Sequence, residues 1–274
     1  MPIDTGTQLR SMYEPEGGVR EIFSSKVTDY AASRPDYPAP LFESLRVQCN
    51  LHPGAMVADI GAGTGLLTQG FLARGYNVTA IEPNAAMRTA ADQLLARYRA
   101  YRSTDGAAES IPMATASVDL ITAAQAFHWF DIENARTEFL RVLRPDAKVA
   151  LIWNDRVLTE PLHGALDEVF SHYGGAKRSA LVAHEERGDI PRFFGTAASV
   201  ELTWQHEHHL NESGLLSLVF SRSYMPERSS TPGQEACQQI GEIFRRFAVE
   251  GKLTVRYITV AIIGRPQSRR DPQP

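Results

Sequence analysis

The chain has 274 residues, 43% of them hydrophobic, with a formal net charge of -4. This length can bury one full core and suits a single elaborated α/β domain better than two independent ones. No block of Lys and Arg occurs, which disfavours a nucleic-acid groove because phosphate binding needs clustered positive charge. We therefore expect a small-molecule partner and no nucleic acid.

Cysteine usage and hydropathy indicate the compartment. The two cysteines, Cys49 and Cys237, lie in no CxxC or Cys/His spacing, so neither a disulfide framework nor a zinc site is predicted. The first residues carry no apolar stretch of signal-peptide type, and nowhere do 18 apolar residues run together. We expect a cytoplasmic protein that does not span a membrane, and the sequence leaves its oligomeric state open.

The two ends differ in composition from the rest of the chain. Residues 1–18 are rich in Gly, Pro and Thr, and residues 265–274 mix Pro, Gln and charge without periodicity, so both are predicted to be flexible. Residues 19–264 are predicted to form one domain. Within it, residues 19–50 are expected to be helices that cover the site.

In the first half of that domain, short apolar or β-branched runs alternate with helical patterns. This alternation indicates βαβ units and a mostly parallel sheet with helices on both faces. The predicted strands are Met56–Ile60, Asn77–Glu82, Tyr101–Gly106, Val118–Ala124 and Lys148–Trp153. The predicted helices are Leu66–Arg74, Asn84–Tyr98 and Asn134–Leu143.

The second half begins differently. Residues 157–195 are mostly helical in pattern, with Gly174-Gly175 and Gly188 as breaks, which predicts an insertion that forms a lid or pocket wall over the site. Two more strands, Val200–Leu210 and Thr254–Ile263, and two helices, Glu212–Ser223 and Gln234–Val249, follow. The fold class is therefore predicted to be a Rossmann-like α/β fold with a seven-stranded sheet.

A glycine-rich turn, Asp59-Ile60-Gly61-Ala62-Gly63-Thr64-Gly65, joins the first predicted strand to its helix. Such a turn presents backbone N–H groups and lets a ligand approach the main chain closely. Leu66 stands where the dinucleotide fingerprint places its third glycine, so the pyrophosphate pattern is not met. This departure disfavours a nicotinamide dehydrogenase.

Glu82 ends the second predicted strand, next to the glycine turn. A carboxylate there can accept hydrogen bonds from both hydroxyls of an adenosine ribose. The alternative is an acid at a helix N-terminus beside Pro83, where negative charge is also favourable.

Five segments resemble the successive motifs of class I S-adenosylmethionine-dependent methyltransferases. They are residues 57–68 (VADIGAGTGLLT), 78–84 (VTAIEPN), 106–112 (GAAESIP), 118–131 (VDLITAAQAFHWFD) and 140–148 (LRVLRPDAK). Within that family the chain is most similar to the trans-aconitate-methyltransferase-like small-molecule branch, through residues 30–38 and 125–131. The resemblance implies a sheet whose last strand is antiparallel, and S-adenosylmethionine as the cofactor.

The resemblance also implies which residues bind that cofactor. Those around its methionine part are Asp59, Gly61, Ala62, Gly63 and Gly65; Glu82 holds the ribose; Asn84, Met87, Ala107, Ala108 and Glu109 approach the adenine; Gln125 and Ala126 line the floor beside the sulfonium. Many relatives have Asp at the position of Ala107, so here that contact must come from elsewhere or be lost.

Methyl transfer requires the protein mainly to align two reactants and to exclude water. A carboxylate acceptor is ionised at neutral pH and needs positive charge rather than a base, which Arg34, Arg156 or Arg222 can supply. A phenol, amine or carbon acid would need a base, for which His128 is the candidate. The alternative for His128 is simple packing beside Phe127 and Trp129.

Aromatic residues are further candidates. Tyr30 and Tyr37 are expected to cover the cofactor, Tyr30 with cation–π attraction to the sulfonium, although ordinary packing explains either. Trp129 is a candidate for contact with the substrate. Residues 206–209 (HEHH) offer two ligands on one face of a strand where a metal site needs three or four, so no metal is expected.

Together these features predict an enzyme that moves a methyl group from S-adenosylmethionine to an organic acid or a natural-product intermediate by in-line displacement. The alternative is a protein of the same fold that binds the cofactor without methylating, or that uses the sulfonium charge for another reaction.

Overall fold

A seven-stranded sheet forms the centre of the computed structural model, which describes residues 5–185, 187–195 and 199–267. Its strands are β1 (Met56–Ile60), β2 (Asn77–Ile81), β3 (Tyr101–Thr104), β4 (Val118–Ala124), β5 (Leu143–Arg156), β6 (Ser199–Leu210) and β7 (Leu253–Gly264). The order across the sheet is β3-β2-β1-β4-β5-β7-β6. β1 to β5 run parallel, and β7 pairs antiparallel with both β5 and β6. The predicted fold class is confirmed, including the antiparallel last strand.

Helices pack on both faces of this sheet because side chains along each strand alternate between the faces. In β1, Val57 belongs to a core cluster with Leu41 and Leu67 on one face, whereas Ala58 belongs to another with Phe139 and Phe193 on the other face. The helices are α1 (Thr5–Tyr13), α2 (Val27–Ser33), α3 (Ala39–Gln48), α4 (Leu66–Leu72), α5 (Ala85–Leu95), α6 (Ile132–Val142), α7 (Pro161–Glu185), α8 (Ile190–Phe194), α9 (Glu212–Phe220) and α10 (Thr231–Phe247).

The start of β5 differs from the prediction. Leu143, predicted to end a helix, is the first residue of β5, where it is buried and pairs with Val118. The register shifts between Val118 and Leu120, and Asp146 in the same stretch has a φ of 65°. Pairing with a distant strand thus overrides the local helical spacing.

The predicted helical insertion is present as α7 and α8. A non-helical residue, Gly175, interrupts α7 with φ 51° and ψ -140°. Leu166 and Phe170 of α7 form a second core with Leu215 of α9 and Ile240 of α10, beyond the antiparallel end of the sheet. This second core holds α7 against the outer strands.

The N-terminal segment, expected to be flexible over residues 1–18, contains α1. Its Leu9 and Tyr13 are buried, and the Tyr13 hydroxyl lies 2.9 Å from Ser223 Oγ. Residues 1–4, and residues 268–274 of the expected C-terminal tail, lie outside the described part of the chain. The helices that the structure describes include none with the length and apolar character needed to cross a bilayer.

Candidate functional site

Two adjoining cavities lie at the carboxyl ends of β1, β2 and β4, where ligands bind in open parallel sheets. The smaller has a volume of about 470 Å³ and the larger about 690 Å³. Tyr30, Gly61, Ala124 and Gln125 line both cavities. The shared lining indicates one continuous cleft with two compartments.

The glycine turn after β1 separates the two compartments. Gly61 has a φ of +67°, and a Cβ there would lie 2.6 Å from the Ala126 Cβ. The Gly61 and Ala62 N–H groups both donate to the Ile81 carbonyl oxygen, at 2.8 and 3.3 Å. The turn is therefore pinned to the end of β2, with no side chain between it and the cleft at Gly61.

Glu82 follows β2 directly and lines the smaller cavity. Its Oε2 accepts a hydrogen bond of 2.9 Å from the Gly63 N–H, and its Oε1 accepts one of 2.9 Å from the Asn84 N–H. Only 8% of the residue is exposed, and this burial raises the pKa of the carboxyl group against the opposing effect of the two bonds. A carboxylate has about four acceptor positions, so further donors can be accommodated.

Asp59 lies near the end of β1 and lines the larger cavity. Its Oδ2 accepts from Thr68 Oγ1 at 2.6 Å and its Oδ1 from Thr122 Oγ1 at 2.9 Å. Burial raises its pKa to about 6. Asp59 is thus held by side chains of α4 and β4.

Asn84 and Gly65 line neither of the two cavities. Asn84, expected near the adenine, caps α5 by accepting from the Met87 N–H at 2.9 Å, and its Nδ2 donates to the Arg20 carbonyl oxygen at 2.6 Å. At Gly65, with a φ of +84°, a Cβ would lie 2.6 Å from Leu95 Cδ1. Both residues shape the site from behind its walls.

The other residues expected around the cofactor come together in the smaller cavity. Glu109 Oε1 there accepts from the Asp131 N–H at 2.6 Å, which ties the segment after β3 to the start of α6. Gln125 adopts a φ of 55°, and its N–H donates to the Ile152 carbonyl oxygen at 2.9 Å. Those that line this cavity are Gly61, Gly63, Glu82, Met87, Ala107, Ala108, Glu109, Gln125 and Ala126, and Trp129, expected at the substrate, lines it too. Ala62 lines the larger one.

Tyr30 lies between the two compartments. Its ring is within van der Waals reach of the position that a Gly63 Cβ would take, and it meets Phe23 edge-on with centroids 6.3 Å apart. The Arg34 guanidinium carbon lies 4.5 Å from the Tyr30 ring centroid. Tyr37 lines the larger cavity, where burial raises its pKa well above the usual value.

The larger cavity is rich in arginine: Arg34, Arg156, Arg178, Arg187 and Arg222 line it, against Asp59, Asp155 and Asp167. Asp167 accepts from Arg178 at 2.6 Å and Asp155 accepts from Arg187. Burial lowers the pKa of Arg34 and of Arg156, and the Arg222 guanidinium lowers both further. Since guanidinium groups stay protonated, this compartment carries excess positive charge.

His128 lies half-buried in the larger cavity, with its ring centroid 4.8 Å from that of Trp129, which lines the smaller cavity. The structure thus brings His128 together with all three arginines predicted from the sequence. His163, Tyr257 and Asn154 also line the larger cavity and were not predicted. They stand in no motif, so only their packing around the cavity identifies them.

Comparison with known proteins gives a consistent picture. Residues 58–151 match a family model described as a methyltransferase domain. An uncharacterised methyltransferase of Mycobacterium tuberculosis is 32% identical over 245 residues, which is 88% of this chain and 93% of the relative. A malonyl-[acyl-carrier protein] O-methyltransferase of Pectobacterium atrosepticum is 33% identical over 109 residues, 39% of this chain and 42% of that protein. A structure solved as a candidate type II methyltransferase from Anaeromyxobacter dehalogenans superposes with a TM-score of 0.58 at 25% identity, over 85% of this chain and 99% of that one.

Proposed function

The chain belongs to the methyltransferase family of these relatives, and we propose that it moves a methyl group from S-adenosylmethionine to a small organic acid or a related natural-product intermediate. The observation that carries the cofactor half of this proposal is the Glu82 carboxylate, fixed by the Gly63 and Asn84 N–H groups beside a side-chain-free Gly61. A fixed acceptor next to an open backbone turn suits a ribose diol followed by an amino-acid tail.

Different residues of the cleft contact different parts of the cofactor. Glu82 accepts from the ribose hydroxyls, and Met87, Ala107, Ala108 and Glu109 enclose the adenine. Asp59, Gly61, Ala62 and Gly63 surround the methionine part, with Gln125 and Ala126 beneath it. Tyr30, at the junction of the two compartments, lies beside the sulfonium, where an aromatic face attracts positive charge.

The acceptor occupies the larger cavity. S-adenosylmethionine bound in the cleft would supply a methyl group activated by its sulfonium sulfur, and transfer of that carbon to an acceptor oxygen would leave the electron pair of the broken carbon–sulfur bond on sulfur. An ionised carboxylate has no proton to lose, so the protein needs to hold it in line and exclude water. Arg34, Arg156 and Arg222 hold the anion, and Tyr37 is a wall residue of this cavity, whereas Trp129 lines the smaller one.

The location of two sequence segments supports an acid as the acceptor. Residues 30–38 and 125–131, which carry the likeness to the trans-aconitate-methyltransferase-like branch, include Tyr30, Arg34, Gln125 and His128, all of which line the larger cavity. For an acceptor that must lose a proton, such as a phenol, we assign the role of base to His128.

Two measurements test this proposal. Isothermal titration with S-adenosylmethionine should show binding, and its absence at high micromolar concentration would overturn the cofactor assignment. Incubation with methyl-labelled S-adenosylmethionine and a panel of organic acids, phenols and amines, read by mass spectrometry, should show one methyl added to an acid. Tight cofactor binding with no methylated product would favour the alternative of a non-methylating binding protein.

A further inference from the structure

His163 is a buried polar group that the proposed methyl transfer does not use. It lies near the start of α7, is 0% exposed and lines the larger cavity. Its Nε2 lies 3.1 Å from the Arg256 carbonyl oxygen. Because a carbonyl oxygen only accepts, Nε2 must carry the hydrogen of a neutral ring and Nδ1 must carry the lone pair.

The ring is neutral at physiological pH. Burial lowers the pKa of His163, and the positive charge of Arg156 lowers it further. The buried Nδ1 has no hydrogen-bond partner among the described residues. Buried polar atoms in folded proteins almost always have a partner, so this acceptor is available to a ligand in the cavity.

Two neighbours of His163, Tyr257 and Arg156, also have a buried polar atom without a hydrogen-bond partner among the described residues. The Tyr257 ring meets the His163 ring edge-on with centroids 6.5 Å apart, and its hydroxyl is buried without a partner among the described residues. Arg156 Nη1 is likewise buried without one. Burial raises the pKa of the Tyr257 phenol, which therefore keeps its proton as a donor. All three side chains line the larger cavity.

The combination selects the chemistry of the ligand. The arginines attract an anion, whereas His163 Nδ1 requires a hydrogen-bond donor. A second carboxylate has no hydrogen to donate at neutral pH, and an ammonium group would be repelled by Arg156. A neutral hydroxyl can donate a hydrogen bond to His163 Nδ1 and carries no positive charge for Arg156 to repel.

We propose that the acceptor is a hydroxy acid, an inference that rests on the proposed function. Its carboxylate is held by Arg34 and Arg156 with the Tyr257 hydroxyl, and its own hydroxyl donates to His163 Nδ1. His163 is then a residue that determines specificity, and the carboxylate oxygen is the methylated atom.

The test compares hydroxy acids with their deoxy analogues. The probes are malate against succinate, salicylate against benzoate, and 3-hydroxydecanoate against decanoate, titrated calorimetrically into the full chain loaded with S-adenosylhomocysteine. In at least one pair we expect the hydroxy member to bind about three- to tenfold more tightly, the range for one neutral hydrogen bond.

Two substitutions separate the Nδ1 contact from the structural Nε2 bond. His163→Gln places an amide where Nε2 stands, so it keeps a donor for the Arg256 carbonyl but has no acceptor at the δ position. His163→Asn places an amide oxygen at the δ position and loses the bond to Arg256. We expect His163→Gln to abolish the preference for the hydroxy acid and His163→Asn to retain it.

The outcomes are distinguishable. Equal affinity for both members of every pair in the unsubstituted protein, or a preference that survives in His163→Gln, would overturn the hydroxy-acid proposal alone. Absence of binding of any acid would overturn the organic-acid acceptor of the proposed function together with it. The proposed function itself fails separately, when S-adenosylhomocysteine does not bind. Unchanged S-adenosylhomocysteine affinity in the variants shows that they are folded. If they do not fold, the affinities of hydroxy acids and deoxy analogues for the unsubstituted protein still test the proposal.

Discussion

Two buried carboxylates, Asp59 and Glu82, stand at the ends of neighbouring strands but are held by different kinds of donor. Backbone N–H groups of Gly63 and Asn84 fix Glu82, whereas Asp59 accepts from two rotatable hydroxyl groups and from the backbone of Thr68. A hydroxyl can turn to accept instead of donate, so Asp59 tolerates a change of protonation. The backbone donors require Glu82 to remain an acceptor.

Replacing Glu82 therefore tests the ribose assignment. We expect Glu82→Ala to weaken S-adenosylmethionine binding by about 1.5 to 3 kcal/mol, the range for hydrogen bonds to a charged group, measured by calorimetry. Glu43→Ala is the control, since Glu43 is an exposed carboxylate of α3 that pairs with Arg46 and lines neither cavity. An unchanged affinity in Glu82→Ala would contradict the assignment.

The pKa of Asp59 predicts a pH dependence of stability. In the folded protein its carboxyl group keeps its proton up to a pH of about 6, compared with an ordinary value of 3.8. Between these values the folded state binds more protons than the unfolded state, so the free energy of unfolding falls as pH rises through this window and levels off above it.

Asp59→Asn cannot ionise and isolates this effect. In cofactor-free protein, urea unfolding at steps from pH 4 to pH 7 should show the unsubstituted chain losing on the order of 2 kcal/mol relative to Asp59→Asn. A difference between the two proteins that stays constant with pH would show that Asp59 ionises normally.

At the scale of secondary-structure elements, the candidate site depends on the turn that connects β1 to α4. The turn from Gly61 to Gly65 bends back on the end of β2 through two bonds to the Ile81 carbonyl oxygen. It opens α4 with Gly65 in a left-handed conformation. Strand, turn and helix are thus bonded to one another, and they hold the residues proposed to bind the cofactor in fixed positions.

Gly61→Ala is expected to lower cofactor affinity at least tenfold, because the new Cβ would lie 2.6 Å from the Ala126 Cβ at the floor of the cleft. Gly75→Ala is the matched control: Gly75 also has a positive φ, +82°, but open space surrounds its Cβ position. It should cost only the backbone strain of about 1 to 2 kcal/mol in stability and leave cofactor binding intact. Calorimetry and urea unfolding measure the two effects, and equal loss of affinity in both variants would contradict the steric argument.

Asn84 links α5 to the N-terminal segment. It caps α5, and its Nδ2 donates to the Arg20 carbonyl oxygen and to Ser24 Oγ. We expect Asn84→Ala to cost about 1 kcal/mol in stability for the lost cap and to loosen the segment around Arg20, making it a faster target for limited proteolysis.

Asn211 provides the control for Asn84. It caps α9 through the Gly214 N–H at 2.8 Å and is exposed. Asn211→Ala should cost a similar amount of stability without changing cleavage near Arg20. Equal cleavage in the two variants would show that Asn84 acts only as a cap.

In the whole molecule, the segment of residues 20–34 joins the parallel half of the sheet to the second core. Besides the bonds between Asn84 and the segment, Lys26 Nζ donates to the Met225 carbonyl oxygen at 3.0 Å and Arg34 Nη2 to that of Ser221 at 3.1 Å. Residues between 10 and 37 contribute to the lining of both cavities, and α7 contributes to that of the larger one. The cleft is therefore enclosed by parts of the chain that are far apart in sequence.

This arrangement predicts where ligands protect the backbone. S-adenosylhomocysteine should slow amide hydrogen exchange mainly in residues 10–30, and adding an organic acid that binds should extend protection to α7 over residues 163–182. Exchange mass spectrometry measures both effects, with α10 as an internal reference because it lines neither cavity. Protection of α7 by S-adenosylhomocysteine alone would contradict the division of the cleft into two compartments.

The fold was predictable from local patterns. Alternating apolar runs and helical spacing located all seven strands, since each strand's burial is encoded in its own residues. The error at Leu143 has a tertiary cause: its pairing with Val118 extends β5 beyond the stretch that is apolar in sequence. Asn84 shows the same limit within the site, because a cap and a ligand contact are equally compatible with Asn before a helix.

The sequence by itself determined the family, the order of the elements and the glycine turn, because each depends on residues that are near neighbours in the chain. It also identified Arg34, Arg156 and Arg222 individually as candidates. Only the tertiary structure decided that these arginines meet in one cavity and that His163 and Tyr257 join them. The physical reason is that these side chains come from the N-terminal segment, β5, the end of α9, α7 and β7, and only packing of the second core against the sheet brings such distant segments together.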